Sequence, residues 1–124
     1  MLFRSIPNSI FLDTEEDLMT FLKKLAQCKA IVSTGMHPLI AADSFNIPNQ
    51  WATLYGFEND VTSYKIPDYY SALGLYEQKP IDLRKTKITP ELIIQNYKVK
   101  KEKVLEVQQN LLNAISKALD EILY

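Results

Sequence analysis

One histidine is the residue of this chain best suited to proton transfer, and its neighbours have the composition of a ligand-binding turn. His37 lies in "IVSTGMHPLIAAD" and is the only imidazole among 124 residues. An imidazole changes charge near neutral pH, so it can donate a hydrogen bond to an anion or move a proton. Ser33 and Thr34 supply hydroxyl groups a few residues earlier. These residue types indicate a site for an anionic substrate.

The order of residues around His37 predicts a strand, a turn and a helix. "KAIVST" favours a short buried strand, and Gly35 permits a turn with positive φ or the close approach of a ligand. Pro38 is suited to opening the helix "PLIAADSF", whose free N–H groups would favour phosphate. We therefore expect a phosphate site at Ser33, Thr34 and Gly35, beside His37. The alternative is that His37 only caps the helix or satisfies a buried carbonyl.

Composition limits the classes of partner. Lys plus Arg number 14 and Asp plus Glu 15, which gives a net charge of −1 and no field that would recruit nucleic acid or an anionic membrane. The single cysteine, Cys28, cannot form an internal disulfide, which is typical of a reducing compartment. No apolar run approaches the roughly 20 residues of a membrane-spanning helix, and the N-terminus has no signal-peptide pattern. We predict a cytoplasmic protein with no nucleic-acid partner and no membrane span.

Strand-like and helix-like segments alternate along the rest of the chain. Asp13 or Thr14 is suited to capping a first helix, and Thr89 with Pro90 to opening a later one. The other predicted elements are an edge strand in "FRSIPNSIFL", a strand in "NQWATLY", a helix in "DYYSALGL" and an extended "PIDLR". This alternation predicts an α/β fold: one Rossmann-like domain over residues 1–124, with three layers and a mostly parallel sheet. Ligands of such sheets bind at the carboxyl ends of the strands.

A long amphipathic helix is predicted over about residues 98–123. One face carries an apolar stripe that comprises Leu105, Leu112, Ile115, Leu119 and Ile122, widened by Val104, Leu111 and Ala118. A stripe of this width fits packing within the domain better than the narrow seam of a coiled coil. Homodimerisation through the same face is the alternative.

Residues 28–76 resemble the C-terminal half of the polysaccharide pyruvyl transferase family. That family has a strand, a His-containing turn, an apolar helix leading into Gly-Ile-Pro, and then a lysine and an Asp-Tyr-Tyr or Asp-Tyr-Phe segment. The matching residues here are His37, Leu39, Ile40, Ala42, Asp43, Ile47, Pro48, Trp51, Lys65, Asp68, Tyr69, Tyr70 and Gly74. Gly35 and Met36 stand where the family usually has Arg or Ser followed by Leu, and Pro38 replaces a Gly.

The resemblance implies a transferase of exopolysaccharide biosynthesis. Such enzymes transfer the enolpyruvyl unit of phosphoenolpyruvate to two hydroxyls of a saccharide acceptor, which forms a pyruvate ketal and releases phosphate. Their cleft lies between two Rossmann-like domains, similar to that of GT-B glycosyltransferases. No cofactor and no metal is expected.

The resemblance also implies roles for individual residues. His37 would be the catalytic residue, as a ligand of the leaving phosphate or as a general acid. Lys65 would join Ser33, Thr34 and Gly35 in binding the donor. Tyr69 and Tyr70 are candidates for contact with the sugar, with one of the two expected in the core, and Asp68 is expected to cap its helix.

The chain is expected to supply one of the two domains of such an enzyme. We therefore predict that it is inactive alone and needs a missing N-terminal domain or a partner chain. Two alternatives remain: a non-catalytic remnant or interaction module of the same fold, or half of a GT-B-type glycosyltransferase that binds a nucleotide sugar.

Overall fold

A computed structural model describes residues 8–54 and 64–123, and over these residues the chain has the predicted α/β fold. Eight elements follow one another in these described ranges. They are α1 (Leu18–Ala26), β1 (Ile31–Ser33), α2 (Met36–Ser44), β2 (Asn49–Thr53), α3 (Lys65–Ala72), β3 (Ile81–Asp82), α4 (Pro90–Asn96) and α5 (Lys101–Leu123).

The three strands form a parallel sheet in the order β1-β2-β3. Ser33 pairs with Trp51 across the first pair of strands, and Thr53 pairs with Asp82 across the second. Every residue of β2 is buried, as expected for a central strand covered on both sides. The parallel arrangement agrees with the prediction, and it brings the carboxyl ends of the strands to one edge.

The two faces of the sheet pack against different helices. On one face, Ile31 contacts Phe21 and Leu25 of α1, while Trp51 packs among residues of α2 and α3. On the other face, Ala52 packs with Ile93 of α4. Successive residues of a strand point to opposite faces, which explains why Trp51 and Ala52 belong to different clusters. Helices therefore cover both faces.

The helix starts differ from the sequence prediction in three places. α1 is capped by Asp17, whose Oδ1 accepts hydrogen bonds from the backbone N–H groups of Met19 (3.1 Å) and Thr20 (3.2 Å), so the predicted cap at Asp13 or Thr14 is wrong. Asp13 instead accepts from the N–H of Glu15 (2.9 Å) in a preceding turn. Each acidic residue near a helix start can form such a local bond, and the pattern alone does not select among them.

α2 and α3 also begin earlier than predicted. α2 starts at Met36, two residues before Pro38. α3 starts at Lys65, which places Asp68 inside the first turn, where its N–H donates to the carbonyl of Tyr64 (3.1 Å). The prediction that Asp68 is the cap is therefore wrong. The predicted start of α4 is confirmed, because Thr89 Oγ1 accepts from the N–H of Leu92 (3.1 Å) and Pro90 is the first helical residue.

The predicted N-terminal strand lies only partly in the described region. Residues 3–7 fall outside it, and residues 8–12 form no strand. Tyr55, the last residue of the predicted strand "NQWATLY", also lies outside the described residues.

α5 packs on the domain only through its first turns. Val104 and Val107 contact the cluster around Trp51 and Tyr70, but no residue of this helix is buried. Its 23 residues span about 34 Å, and every residue from 108 to 123 is exposed, so the body leaves this part of the helix uncovered. The prediction that its whole apolar face packs within the domain is therefore wrong.

Candidate functional site

The turn between β1 and α2 is held by the side chain of Ser33. Its Oγ accepts a hydrogen bond from the N–H of Gly35 (3.0 Å) and donates one to the carbonyl of the same residue (3.1 Å). Gly35 has φ −104° and ψ 156°, an extended conformation that any residue can adopt, so of the two predicted reasons for glycine the positive φ is wrong and the close approach of a ligand stays a prediction. A Cβ added there would lie 3.9 Å from Pro38 Cδ, at ordinary contact distance. Neither backbone strain nor crowding therefore requires glycine at this position.

The first turn of α2 has free backbone N–H groups next to Gly35. No side chain caps the helix at Gly35. Met36 and His37 are its first two residues, so their N–H groups have no acceptor within the helix, and Pro38 has no N–H. These two donors add to the partial positive charge of the helix N-terminus. The side chains of Thr34 and His37 are exposed beside them.

The predicted site residues divide into two groups. Ser33, Thr34, Gly35 and His37 are consecutive or nearly so and share the β1–α2 turn. Lys65 is the exposed first residue of α3. Over residues 8–54 and 64–123, no hydrogen bond or ion pair joins Lys65 to the residues of the turn.

The two tyrosines of α3 occupy different environments. Tyr70 is 2% exposed, and its ring centroid lies 6.1 Å from that of Trp51, so Tyr70 is the core residue of the pair. Tyr69 is partly buried and lies 5.5 Å from Tyr70 between ring centroids. Its hydroxyl donates to Asp43 Oδ2 at 2.6 Å. The buried ring of Tyr70 therefore has no open face on which a sugar could stack.

A buried carboxylate, that of Asp43, connects several elements by hydrogen bonds. Asp43, in the last turn of α2, is 3% exposed and accepts three side-chain hydrogen bonds. The donors are Asn49 Nδ2 (2.6 Å), Tyr69 Oη (2.6 Å) and Tyr97 Oη (2.7 Å). We call these four residues the Asp43 cluster. It joins α2 to the first residue of β2, to α3 and to the residue that follows α4.

Burial and the carboxylate together control the ionisation of the tyrosines. Burial raises the pKa values of Tyr69 and Tyr97 well above the ordinary value, and the hydrogen bond to Asp43 and its negative charge raise them further. The pKa of Tyr70 is raised by burial and by the charge of Asp43. All three phenols therefore remain protonated near neutral pH, and those of Tyr69 and Tyr97 donate to Asp43.

The position of the Asp43 cluster indicates a structural role. Asn49 begins β2, so the cluster lies at the amino end of the central strand, whereas parallel sheets bind ligands beyond the carboxyl ends. Sequence reasoning did not assign this cluster. The available signal was an acidic residue inside the apolar helix "PLIAADSF", because a carboxylate buried in such a helix needs donors from elsewhere.

A charged pair lies at the carboxyl end of β3. Asp82 Oδ1 accepts from the backbone N–H of Arg84 (2.9 Å) and from its Nε (3.0 Å), while Oδ2 accepts from Nη2 (2.8 Å). The Arg84 side chain beside it lowers the pKa of Asp82 to about 2. Because Asp82 pairs with Thr53, this arginine belongs to the same edge of the sheet as the β1–α2 turn. Sequence reasoning did not single it out.

Residues 8–54 and 64–123 contain neither a metal-binding cluster nor a helix that could cross a membrane. No group of three or more His, Cys, Asp and Glu side chains is placed to hold a metal ion. Within the same ranges, every helix is either too short or too polar to cross a membrane.

Part of the chain is similar to a viral protein. No protein-family model matches the chain. An uncharacterised protein of Acanthamoeba polyphaga mimivirus is 31% identical over 67 residues, which make up 53% of this chain and 23% of that protein. The chain thus covers less than a quarter of the length of this relative. No solved structure matches.

Proposed function

We propose that the β1–α2 turn binds the phosphate of a small phosphorylated donor, and that the chain forms one half of a pyruvyl transferase that uses phosphoenolpyruvate. The observation that carries this proposal is the start of α2. Two backbone N–H groups, no side-chain cap and an exposed imidazole meet there, beyond the carboxyl end of a strand in a parallel sheet.

The physical argument for phosphate rests on charge and on available donors. An uncapped helix start places partial positive charge and N–H groups toward an incoming anion. His37 adds a titratable donor, and Thr34 an exposed hydroxyl. Ser33 contributes indirectly, because its hydroxyl holds Gly35, the residue before the helix, in place by two hydrogen bonds.

The same groups suit the proposed reaction. The methylene carbon of phosphoenolpyruvate gains a proton, and one sugar hydroxyl adds to the resulting cationic carbon. The bond to the phosphate oxygen then breaks as the second sugar hydroxyl adds, which yields the ketal and inorganic phosphate. His37 would supply the proton or hold the leaving phosphate, and the helix start would stabilise the negative charge that phosphate carries away.

The proposed site would form only one half of a substrate-binding cleft. The α/β body is compatible with one Rossmann-like half of a GT-B-type enzyme, and such enzymes bind their two substrates between domains. A second domain, in the same protein or in a partner chain, would then supply the saccharide contacts. Tyr70 lies in the core, and the hydroxyl of Tyr69 is already bonded to Asp43, so neither hydroxyl group is offered to a sugar by this half alone.

The experiment uses the fact that the chain has a single histidine. The imidazole C–H resonances of His37 can be followed by proton NMR without assignment while phosphoenolpyruvate, inorganic phosphate or a nucleotide sugar is added at fixed pH. We expect a saturable shift with phosphoenolpyruvate and a weaker one with phosphate. A saturable response to the nucleotide sugar alone would instead favour a glycosyltransferase half.

Two lysine variants provide a matched comparison. Lys65 begins α3, while Lys79 precedes β3 and therefore lies toward the amino end of the sheet; both are exposed. If Lys65 contributes to donor binding, Lys65→Ala weakens the response of His37 and Lys79→Ala does not. Absence of any shift at millimolar ligand in the unmodified protein would contradict a phosphate site at this turn.

A further inference from the structure

A guanidinium group that the proposed phosphate site does not use lies at the carboxyl edge of the sheet. Arg84 comes two residues after the end of β3, and its Nε, Nη2 and backbone N–H all donate to the carboxylate of Asp82. Its side chain is nevertheless 52% exposed. Because the fork of an arginine matches the two oxygens of a carboxylate, an arginine that is both oriented and exposed is suited to binding an anion.

The pattern of packing places Asp82 on the face of the sheet that α2 covers. Trp51 packs among residues of α2 and α3, and Thr53, two residues further along β2, points to the same face. Asp82 pairs with Thr53, so its side chain points to that face as well. Ile81 agrees with this, because it packs against the cluster on the opposite face. Arg84, which is bonded to both carboxylate oxygens of Asp82, therefore shares one edge and one face with the start of α2.

The distance across the sheet suits a small molecule with two anionic groups. β1 and β3 lie on either side of β2, which puts them about 10 Å apart. A phosphate at the β1–α2 turn and a carboxylate at Arg84 would be bound from opposite ends of this interval, by hydrogen bonds of about 3 Å at each end. In phosphoenolpyruvate one carbon carries both the carboxylate and the phosphate ester, so a single molecule can contact both places.

The charge of the segment after β3 also favours an anion. Within residues 82–87, Arg84, Lys85 and Lys87 carry three positive charges against the one negative charge of Asp82, which leaves a net charge of +2. All three cationic residues are exposed. The whole chain has a net charge of −1, so this positive charge is a local property of the segment. An anion at the sheet edge would therefore meet attraction there as well as a directed donor.

We propose that Arg84 binds the carboxylate of the phosphorylated donor, and that Asp82 is the positioning residue that orients its guanidinium. This inference rests on the proposed phosphate site and adds to it the residue that distinguishes a phosphorylated carboxylic acid from a simple phosphate ester. The β1–α2 turn holds the phosphate and Arg84 holds the carboxylate, so the donor lies across the carboxyl end of β2 in one orientation.

The experiment compares phosphoenolpyruvate with methyl phosphate, which has the phosphate but no carboxylate. Each is titrated against the imidazole resonances of His37 in the full chain. We expect Arg84→Gln to raise the dissociation constant of phosphoenolpyruvate by about 10- to 100-fold and to change that of methyl phosphate by less than about 2-fold. Lys85→Gln removes the same charge one residue later, and as the matched control it should weaken phosphoenolpyruvate by about 3-fold at most. The emission of the single, buried Trp51 reports whether each variant stays folded.

A second variant, Arg84→Lys, keeps the charge but loses the fork, and it should still weaken phosphoenolpyruvate by about 5-fold or more. Equal weakening of both ligands by the Arg84 variants, or equal effects of Arg84→Gln and Lys85→Gln on phosphoenolpyruvate, would overturn the contact with the carboxylate and leave the phosphate site standing. Equal affinity of the unmodified protein for the two ligands would do the same. If neither ligand shifts the resonances of His37, the phosphate site fails and this inference fails with it.

Discussion

The two ends of α2 each carry a polar residue, and the two residues differ in exposure and in hydrogen bonding. At the amino end, His37 is exposed and no side chain caps the helix. At the carboxyl end, Asp43 is 3% exposed, and side chains of Asn49, Tyr69 and Tyr97 donate to its carboxylate. One nine-residue helix therefore has an open end and a closed end.

The contrast predicts that the two ends of α2 serve different properties, the amino end ligand binding and the carboxyl end stability. A buried carboxylate must be satisfied by fixed donors, and once satisfied it has little capacity left for a ligand. An uncapped helix start keeps its donors available, and water can satisfy them until an anion arrives. Substitutions at the closed end should therefore change the free energy of unfolding, and substitutions at the open end should change binding.

The largest effect is expected from Asp43→Ala. Removing the carboxylate leaves the three donors of the Asp43 cluster without their acceptor, so the free energy of unfolding should fall by about 3 kcal/mol or more. Urea unfolding followed by Trp51 emission measures it. Asp43→Asn keeps the shape and one acceptor oxygen, and it should cost clearly less. Equal losses for the two variants would show that the shape and the single oxygen that asparagine keeps are not enough, and that the cluster depends on the complete carboxylate.

Smaller losses are expected from the tyrosines that donate to Asp43. Tyr69→Phe and Tyr97→Phe each remove one hydroxyl from the carboxylate, and each should lower the free energy of unfolding by about 1–2 kcal/mol. Because both hydroxyls bond to the same group, the double variant should lose an amount different from the sum. Tyr64→Phe, at an exposed tyrosine, is the control and should have no measurable effect. Strict additivity would mean that the two hydroxyls act independently.

The next effect in size is expected at alkaline pH, which should lower the free energy of unfolding through the tyrosines around Asp43. The pKa values of Tyr69, Tyr70 and Tyr97 are raised in the folded state, so folding favours their protonated forms. Their contribution to stability is therefore complete below the unfolded-state pKa of about 10 and is lost as pH rises through the folded-state values. The free energy of unfolding should fall above about pH 10. The Tyr69→Phe, Tyr97→Phe double variant should show a shallower fall, and an unchanged slope would contradict the assignment.

The smallest effect on stability is expected from His37→Gln. An exposed side chain at an uncapped helix start contributes little, so the free energy of unfolding should change by less than about 0.5 kcal/mol. Binding of phosphoenolpyruvate, measured by calorimetry, should nevertheless weaken. A large loss of stability here would place His37 with Asp43 as a structural residue and remove the contrast between the two ends.

Local patterns in the sequence predicted the elements that depend on nearby residues. The apolar runs "KAIVST" and "NQWATLY" became β1 and β2, and the Thr89–Pro90 pair opens α4 as expected, because a cap and its donor lie three residues apart. α1 was harder to place, since Asp13 and Asp17 both form short-range bonds to backbone N–H groups and only the second begins the helix.

Features that depend on distant residues were not predictable in this way. Asp43 was recognised only as part of a family-like segment, because its partners Tyr69 and Tyr97 lie 26 and 54 residues away. The environment of α5 was also missed. Its amphipathic pattern shows that one face seeks apolar contact, but the pattern does not say whether the same domain or another copy provides it.

The bond between Asp43 and Tyr97 also bears on how the chain folds. It closes a segment of 54 residues, and contacts of such long separation form only after the chain entropy of the intervening loop has been lost. The local contacts between β1, α2 and β2 can form earlier. We therefore expect the hydroxyl of Tyr97 to bond to Asp43 only after the main folding barrier, when the rest of the structure has already formed. Tyr97→Phe would then accelerate unfolding while leaving the folding rate nearly unchanged, so this hydroxyl governs the lifetime of the native state.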